Sequence, residues 1–171
     1  MITAIQKKIC LLGDFAVGKT SLIRRYVENR FDERYLSTIG VTISRKMMEP
    51  KGRQFNLMIW DIAGGEEFAA HQSSYLRGAA GALLVCDLTR QTTLINLPHI
   101  LEHFRWSNPQ AVFVLVGNKV DLSSQFEFGE DHLKALSETL GGPYVLTSAK
   151  TGENVEQAFT LLVERLQGLG F

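Results

Sequence analysis

Residues 13–20 read G-D-F-A-V-G-K-T, and few stretches of eight residues restrict a fold so strongly. They match the spacing G-x-x-x-x-G-K-[S/T] and stand between an apolar run, Ile5–Leu12, and a segment with helical spacing, Lys19–Asn29. Glycines let the backbone wrap an anion so that successive N–H groups converge on it, and a helix opening near Gly18 turns its positive end toward the same point. Lys19 can then reach the β- and γ-phosphates of a nucleotide, and the Thr20 hydroxyl can bind Mg²⁺. The plainer alternative is a glycine-rich turn, but a strand before and a helix after are what a phosphate loop requires. Asp14, Phe15, Ala16, Val17, Gly18, Lys19, Thr20 and Ser21 are therefore candidate nucleotide-binding residues.

The rest of the chain supplies the context such a loop needs. Ile39–Met48 and Phe55–Trp60 flank Pro50-Lys51-Gly52, a hairpin signature. Gly81–Val85 and Val112–Val116 are continuous apolar runs, and Tyr144–Leu146 is a third, shorter one. Helices fit at 68–76, 92–104 and 130–140, and Val155, Phe159, Leu162, Val163 and Leu166 form the apolar stripe of a last helix. Fully apolar strands alternating with helices indicate parallel strands covered on both faces, and the hairpin makes the sheet mixed. Ligands of such sheets bind beyond the carboxyl ends of the strands.

Three further motifs fall at those ends. Leu57–Asp61, L-M-I-W-D, ends a strand in a carboxylate that can hold Mg²⁺ through water. Residues 118–121 read N-K-V-D after the strand Val112–Val116. The Asp121 carboxylate can accept from the ring N–H and exocyclic amine of guanine. Adenine offers neither donor, so the carboxylate would be left unpaired against it. The stem of Lys119 can lie along the face of a base, and Leu122 follows as a further candidate contact. Residues 148–150 read S-A-K, where the Ala149 N–H can donate to the guanine carbonyl. Each of these is weak alone; Asn118, Lys119, Asp121, Leu122, Ser148, Ala149 and Lys150 gain weight from their order.

Charge and composition exclude other classes. Lys+Arg and Asp+Glu number 18 each, which leaves no electrostatic footprint for nucleic acid or anionic lipid. The chain of 171 residues shows no linker or repeat, so one domain spanning 1–171 is expected. Cys10 and Cys86 sit inside apolar runs and read as buried thiols of a reducing compartment, hence a cytoplasmic location. MITAIQKK has no signal-peptide core, and no apolar stretch is long enough to span a bilayer. The four histidines, His71, His99, His103 and His132, make no ligand pattern.

Together, in this order, the four motifs resemble the Ras superfamily of small GTP-binding proteins over roughly residues 5–168. Within it the chain is most similar to the Rab branch, through S-T-I-G-V-T-I (37–43), L-M-I-W-D-I-A-G (57–64), S-Y-L-R-G-A (74–79) and L-V-C-D-L-T (84–89). The resemblance implies an α/β G domain of the P-loop NTPase kind: a six-stranded mixed sheet, one strand antiparallel, with about five helices. It implies GTP or GDP as ligand and Mg²⁺ as cofactor, held by Thr20, Thr38 and, through water, Asp61. Residues 31–40 and 61–77 would be the two switch segments. Phe31 would pack on the guanine edge, Tyr35 would close over the phosphates, and Thr38 and the Gly64 N–H would sense the γ-phosphate. Effectors, exchange factors and activating proteins would engage residues 31–43 and 61–77, and GTP would order both.

Three departures qualify that picture. After D-I-A-G the family commonly carries Gln, which orients the attacking water; here the position is Gly65, so the catalytic set of Lys19, Thr38, Gly64 and Gly65 lacks that side chain. A flexible hinge is the other reading of Gly65. Phe15 stands where a small residue is usual, and its ring can obstruct an arginine supplied in trans. The chain ends Q-G-L-G-F, without the cysteine of a prenyl anchor, so no direct membrane anchor is expected unless the natural chain continues past Phe171. Two functions follow: a switch that hydrolyses GTP slowly, or a largely GTP-locked interaction module.

Overall fold

The computed structural model describes residues 3–34, 38–64 and 72–169. Six strands form one sheet: β1 (Ile5–Leu12), β2 (Val41–Met48), β3 (Phe55–Ile62), β4 (Gly81–Asp87), β5 (Val112–Asn118) and β6 (Tyr144–Thr147), in the order β2-β3-β1-β4-β5-β6. Strand β2 runs antiparallel to β3, and the other neighbours are parallel. The expected mixed sheet is therefore present. After β3 the chain crosses to the other side of β1 to lay down β4, so loops leaving adjacent strands diverge there and open a crevice. The phosphate-loop motif follows β1 at that crevice.

Alternation along the strands divides the core into two layers. Ile9 and Leu11 of β1 face a cluster with Leu22, Phe159 and Leu162, whereas Cys10 and Leu12 face one with Leu84, Leu101 and Phe104. The first layer lies under α1 (Lys19–Glu28) and α6 (Val155–Gln167). The apolar stripe read in the sequence is the buried face of α6, and Phe159 stacks on Tyr26 of α1 at 3.9 Å between centroids. The second layer lies under α2 (Gln72–Leu76), α4 (Leu97–Ser107) and α5 (Glu130–Leu140). Both cysteines are fully buried, and loss of solvation pushes each thiol up to about 12.

Six α-helices occur among the described residues, one more than expected. The helix anticipated over 92–104 is two, α3 (Gln91–Ile95) and α4, meeting at Asn96. Pro98 is the reason. It has no N–H to give the carbonyl four residues back, so it suits the first turn of a new helix and not the middle of a long one. Of the helix expected at 68–76, residues 68–71 lie outside the described residues. Strands β3, β4 and β5 each run one or two residues beyond their apolar runs, to end in Asp61-Ile62, Asp87 and Asn118. The extension delivers polar side chains to the crevice. No described helix is long and apolar enough to cross a membrane.

Candidate functional site

At the carboxyl ends of the strands an open cleft of about 410 Å³ is lined by the phosphate loop, Phe31, Thr38, Gly64, Asn118, Lys119, Asp121, Leu122, Ala149 and Lys150. Close packing explains two of its glycines. A Cβ on Gly18, whose φ is +102°, would lie 2.3 Å from the Asn118 amide nitrogen. One on Gly64 would lie 2.7 Å from backbone atoms of Gly13, Asp14 and Phe15. The segment that follows β3 thus presses directly on the phosphate loop, and any side chain at Gly64 would force the two apart.

Lys19 opens α1 and is almost wholly buried, its Nζ donating to the carbonyls of Gly13 (2.8 Å) and Asp14 (2.9 Å). Burial pulls the ammonium down to about 8, against the opposing pull of Asp61 and Asp14. A cation so poorly solvated gains strongly from an anion at the loop. Beside it the Thr20 hydroxyl donates to Asp61 Oδ2 at 2.5 Å and meets the Thr38 hydroxyl, also at 2.5 Å. Thr38 lies 3.4 Å from the same carboxylate oxygen. Asp61 Oδ1 is buried and finds no donor among the described residues. Burial raises the Asp61 carboxyl, though the Thr20 bond and Lys19 oppose it. Two hydroxyls and a carboxylate with an unsatisfied oxygen form an all-oxygen set, which fits a small hard cation such as Mg²⁺. Thr20, Thr38 and Asp61 would hold it.

The far end of the cleft is built from β5 and β6. Ser148 donates to Asp121 Oδ1 at 2.7 Å and fixes the carboxylate, while Thr151 N–H and Ser148 Oγ (3.0 Å) tighten the S-A-K turn. Ser148 is fully buried and does not line the cleft, so its side chain positions Asp121. Asn118 lines the cleft and also braces it. Its amide donates to Val17 O at 3.0 Å and accepts from Thr147 at 3.0 Å, tying β5 and β6 to the phosphate loop. Val17 is a core residue and does not line the cleft. Asp14 directs its carboxylate outward, accepting from Asn96 at 2.7 Å. Phe31 lines the cleft and packs partly on the core, and Phe15 is 50% exposed at the mouth. Tyr35 and Gly65 lie outside the described residues.

A sequence model of the Ras family matches residues 8–168. The chain belongs to the Ras family of small GTPases. It is 42% identical over 160 residues to the Ras-related protein RABA6a of Arabidopsis thaliana, across 93% of this chain and 69% of that protein. The resemblance drawn from the motifs, including its Rab-like character, is therefore correct, and the six-stranded mixed sheet is the fold it implied.

Sequence reading overlooked one residue of this small GTPase. Asp87, 1% exposed at the end of β4, accepts from Lys119 Nζ at 2.7 Å and from Arg90 Nε at 3.1 Å. Lys119 also donates to Ala16 O (3.0 Å), and Arg90 Nη2 to Phe15 O (2.6 Å). One carboxylate thus anchors both cations that grip consecutive carbonyls of the phosphate loop, and Ala16 is held at φ +63°. Burial alone would raise this carboxyl, but bonds from Lys119 and Thr89 hold it below the usual aspartate range. Its contribution to stability is complete above the unfolded value and lost as pH falls through the lower folded one. The available signal was an aspartate closing a fully apolar strand beside the strand of N-K-V-D. Asp87→Ala is expected to cost about 2–3 kcal/mol of stability, as charged hydrogen bonds are lost from a buried group, and to accelerate nucleotide release. Denaturant unfolding would measure the first and the dissociation rate of bound GDP the second; unchanged stability would contradict the anchoring role.

Proposed function

We propose that residues 1–171 form one G domain that binds GTP and GDP with Mg²⁺ and signals through its nucleotide state. The observation that carries the reading is one cleft with a buried cation and an all-oxygen metal set at one end and a fixed carboxylate at the other. Asp121 and the Ala149 N–H would read guanine, the phosphate-loop N–H groups and Lys19 would hold the phosphates, and the Lys119 stem and Phe31 would flank the base. When bound, Mg²⁺ would neutralise phosphate charge. The test is displacement of prebound GDP. GTP is expected to compete fully and ATP hardly at all; ATP displacing GDP as well as GTP does would end the reading.

The metal assignment carries its own expectation. Chelation with EDTA should accelerate GDP release by roughly two orders of magnitude, as loss of a multivalent counter-charge costs several kcal/mol. Thr20→Ala should release GDP quickly with or without EDTA. Equal release rates for wild type in EDTA and in Mg²⁺ would contradict it.

Effectors, exchange factors and activating proteins would dock on residues 31–43 and 61–77 of a cytoplasmic protein. Support comes from three exposed apolar side chains beside the switch segment, Ile39, 92% exposed, and Ile43 and Met47 on the edge strand β2. The hydrolytic rate divides the two functions open to this sequence. Gly65 and Phe15 favour a long-lived GTP form, and single-turnover hydrolysis separates a slow enzyme from a GTP-locked module.

A further inference from the structure

Helix α1 carries the phosphate-binding Lys19 and Thr20 on its first turn and Arg25 on its second. The Arg25 guanidinium reaches across to the S-A-K turn. Its Nε donates to Ala149 O at 2.9 Å and its Nη2 to Lys150 O at 2.6 Å. The preceding carbonyl, that of Ser148, is taken inside the turn by the Gly152 N–H at 2.8 Å. Three consecutive carbonyls are therefore all taken by donors that do not line the cleft. Because the peptide unit is planar, turning a carbonyl outward turns the next residue's N–H inward. The N–H groups of Ala149 and Lys150 follow the Ser148 and Ala149 carbonyls, and neither has an acceptor among the described residues. Gly152 is held at φ +87°, and a Cβ there would touch Arg25 Cδ at 3.6 Å, so the guanidinium stem fits closely against the turn.

We propose that Arg25 is a positioning residue for guanine recognition: it holds the S-A-K turn so that the Ala149 N–H meets the base carbonyl. The inference rests on the guanine-nucleotide reading and goes beyond it, since Arg25 does not line the cleft. A planar fork suits two neighbouring carbonyls, which a lysine cannot bridge in the same way. One helix then joins both halves of the site, its first turn on the phosphates and its second on the base loop. A Lys at this position should restore part of the effect through a single bond.

Arg25→Ala, Arg25→Lys and wild type would be compared in full-length protein loaded with Mg²⁺ and either GDP or 6-thio-GDP. The thio analogue keeps the ring N–H and amine that face Asp121 but replaces the carbonyl oxygen with a poorer acceptor. Wild type is expected to hold GDP more tightly than the analogue. Arg25→Ala should release GDP roughly tenfold faster, from the loss of charge-assisted bonds to the turn, and its preference for GDP over the analogue should shrink toward unity. Arg25→Lys should fall between. Faster release of both nucleotides with the preference intact would assign Arg25 a merely structural role and overturn the inference, as would unchanged release. Failure of wild type to bind GDP at all would instead remove the guanine reading on which the inference stands.

Discussion

Asp121→Asn is expected to convert a guanine site into a xanthine site. Ser148 already donates to one carboxylate oxygen at 2.7 Å, which fixes the plane of the group. The other oxygen is left to accept from the base. In the asparagine variant the Ser148 hydroxyl still needs an acceptor, so the amide oxygen stays with it and the NH₂ turns to the cleft. A donor then opposes the ring N–H and amine of guanine. Xanthine carries a carbonyl in place of that amine and accepts from the new donor. Sites built to hydrogen-bond a substrate reject an analogue that leaves their polar groups unpaired by about 10⁴–10⁵-fold. GDP affinity should fall by a factor of that order, and xanthosine diphosphate should bind the variant more tightly than GDP. Titration of both nucleotides against both proteins decides it. If GDP binds the variant as it binds wild type, the base does not meet Asp121.

The second large effect concerns hydrolysis. Attack of water on the γ-phosphate needs a positioned nucleophile and a neutralised phosphate. Lys19 and a cation at Thr20, Thr38 and Asp61 can supply the second. At Gly65 the sequence offers no side chain for the first. An arginine from a partner can add roughly 10³–10⁵-fold, yet the half-exposed Phe15 ring stands at the mouth of the cleft, and Arg90 already occupies the Phe15 carbonyl. The wild-type GTP form should therefore persist for hours after loading. Gly65→Gln should raise the single-turnover rate by roughly 10- to 100-fold, the scale on which misplacement of a reactant is felt, and more when combined with Phe15→Gly. The competing arrangement is a water held by Glu66, Glu67 or His71. A fast wild-type rate that survives Gly65→Ala but is abolished by changing one of those three would establish it and refute the impaired-enzyme reading.

These expectations rest on features of unequal legibility. The phosphate loop was readable because its chemistry needs consecutive residues: an anion is wrapped by neighbouring N–H groups, and a helix must follow at once. The parallel strands were readable because burial on both faces leaves runs with no alternation, as in Val112–Val116. The stripe of α6 was readable from its helical period, which places Val155, Phe159, Leu162 and Leu166 on one buried face. The break at Asn96 was available in principle, since Pro98 cannot continue a helix through its missing N–H.

The amino-acid sequence by itself determined the kind of ligand, through the spacing of Gly13, Gly18, Lys19 and Thr20 and the order in which Asp61, Asp121 and Ala149 follow. Only the tertiary structure decided what each supporting side chain does. Asn118 has the look of a base contact, and its amide also ties Val17 to Thr147 across the phosphate loop. Asp87 reads as a strand end, yet it anchors Lys119 and Arg90 against the phosphate loop. Arg25 reads as the polar face of a helix, yet its guanidinium grips the turn 124 residues away. The physical reason lies in the backbone carbonyls taken by Asn118, by Arg25 and by the Lys119 and Arg90 that Asp87 anchors. A bond to an ordinary backbone carbonyl asks for no particular residue at the accepting end, so it leaves no pattern in the chain, and only the packing of β4, β5, β6 and α1 brings donor and acceptor within reach.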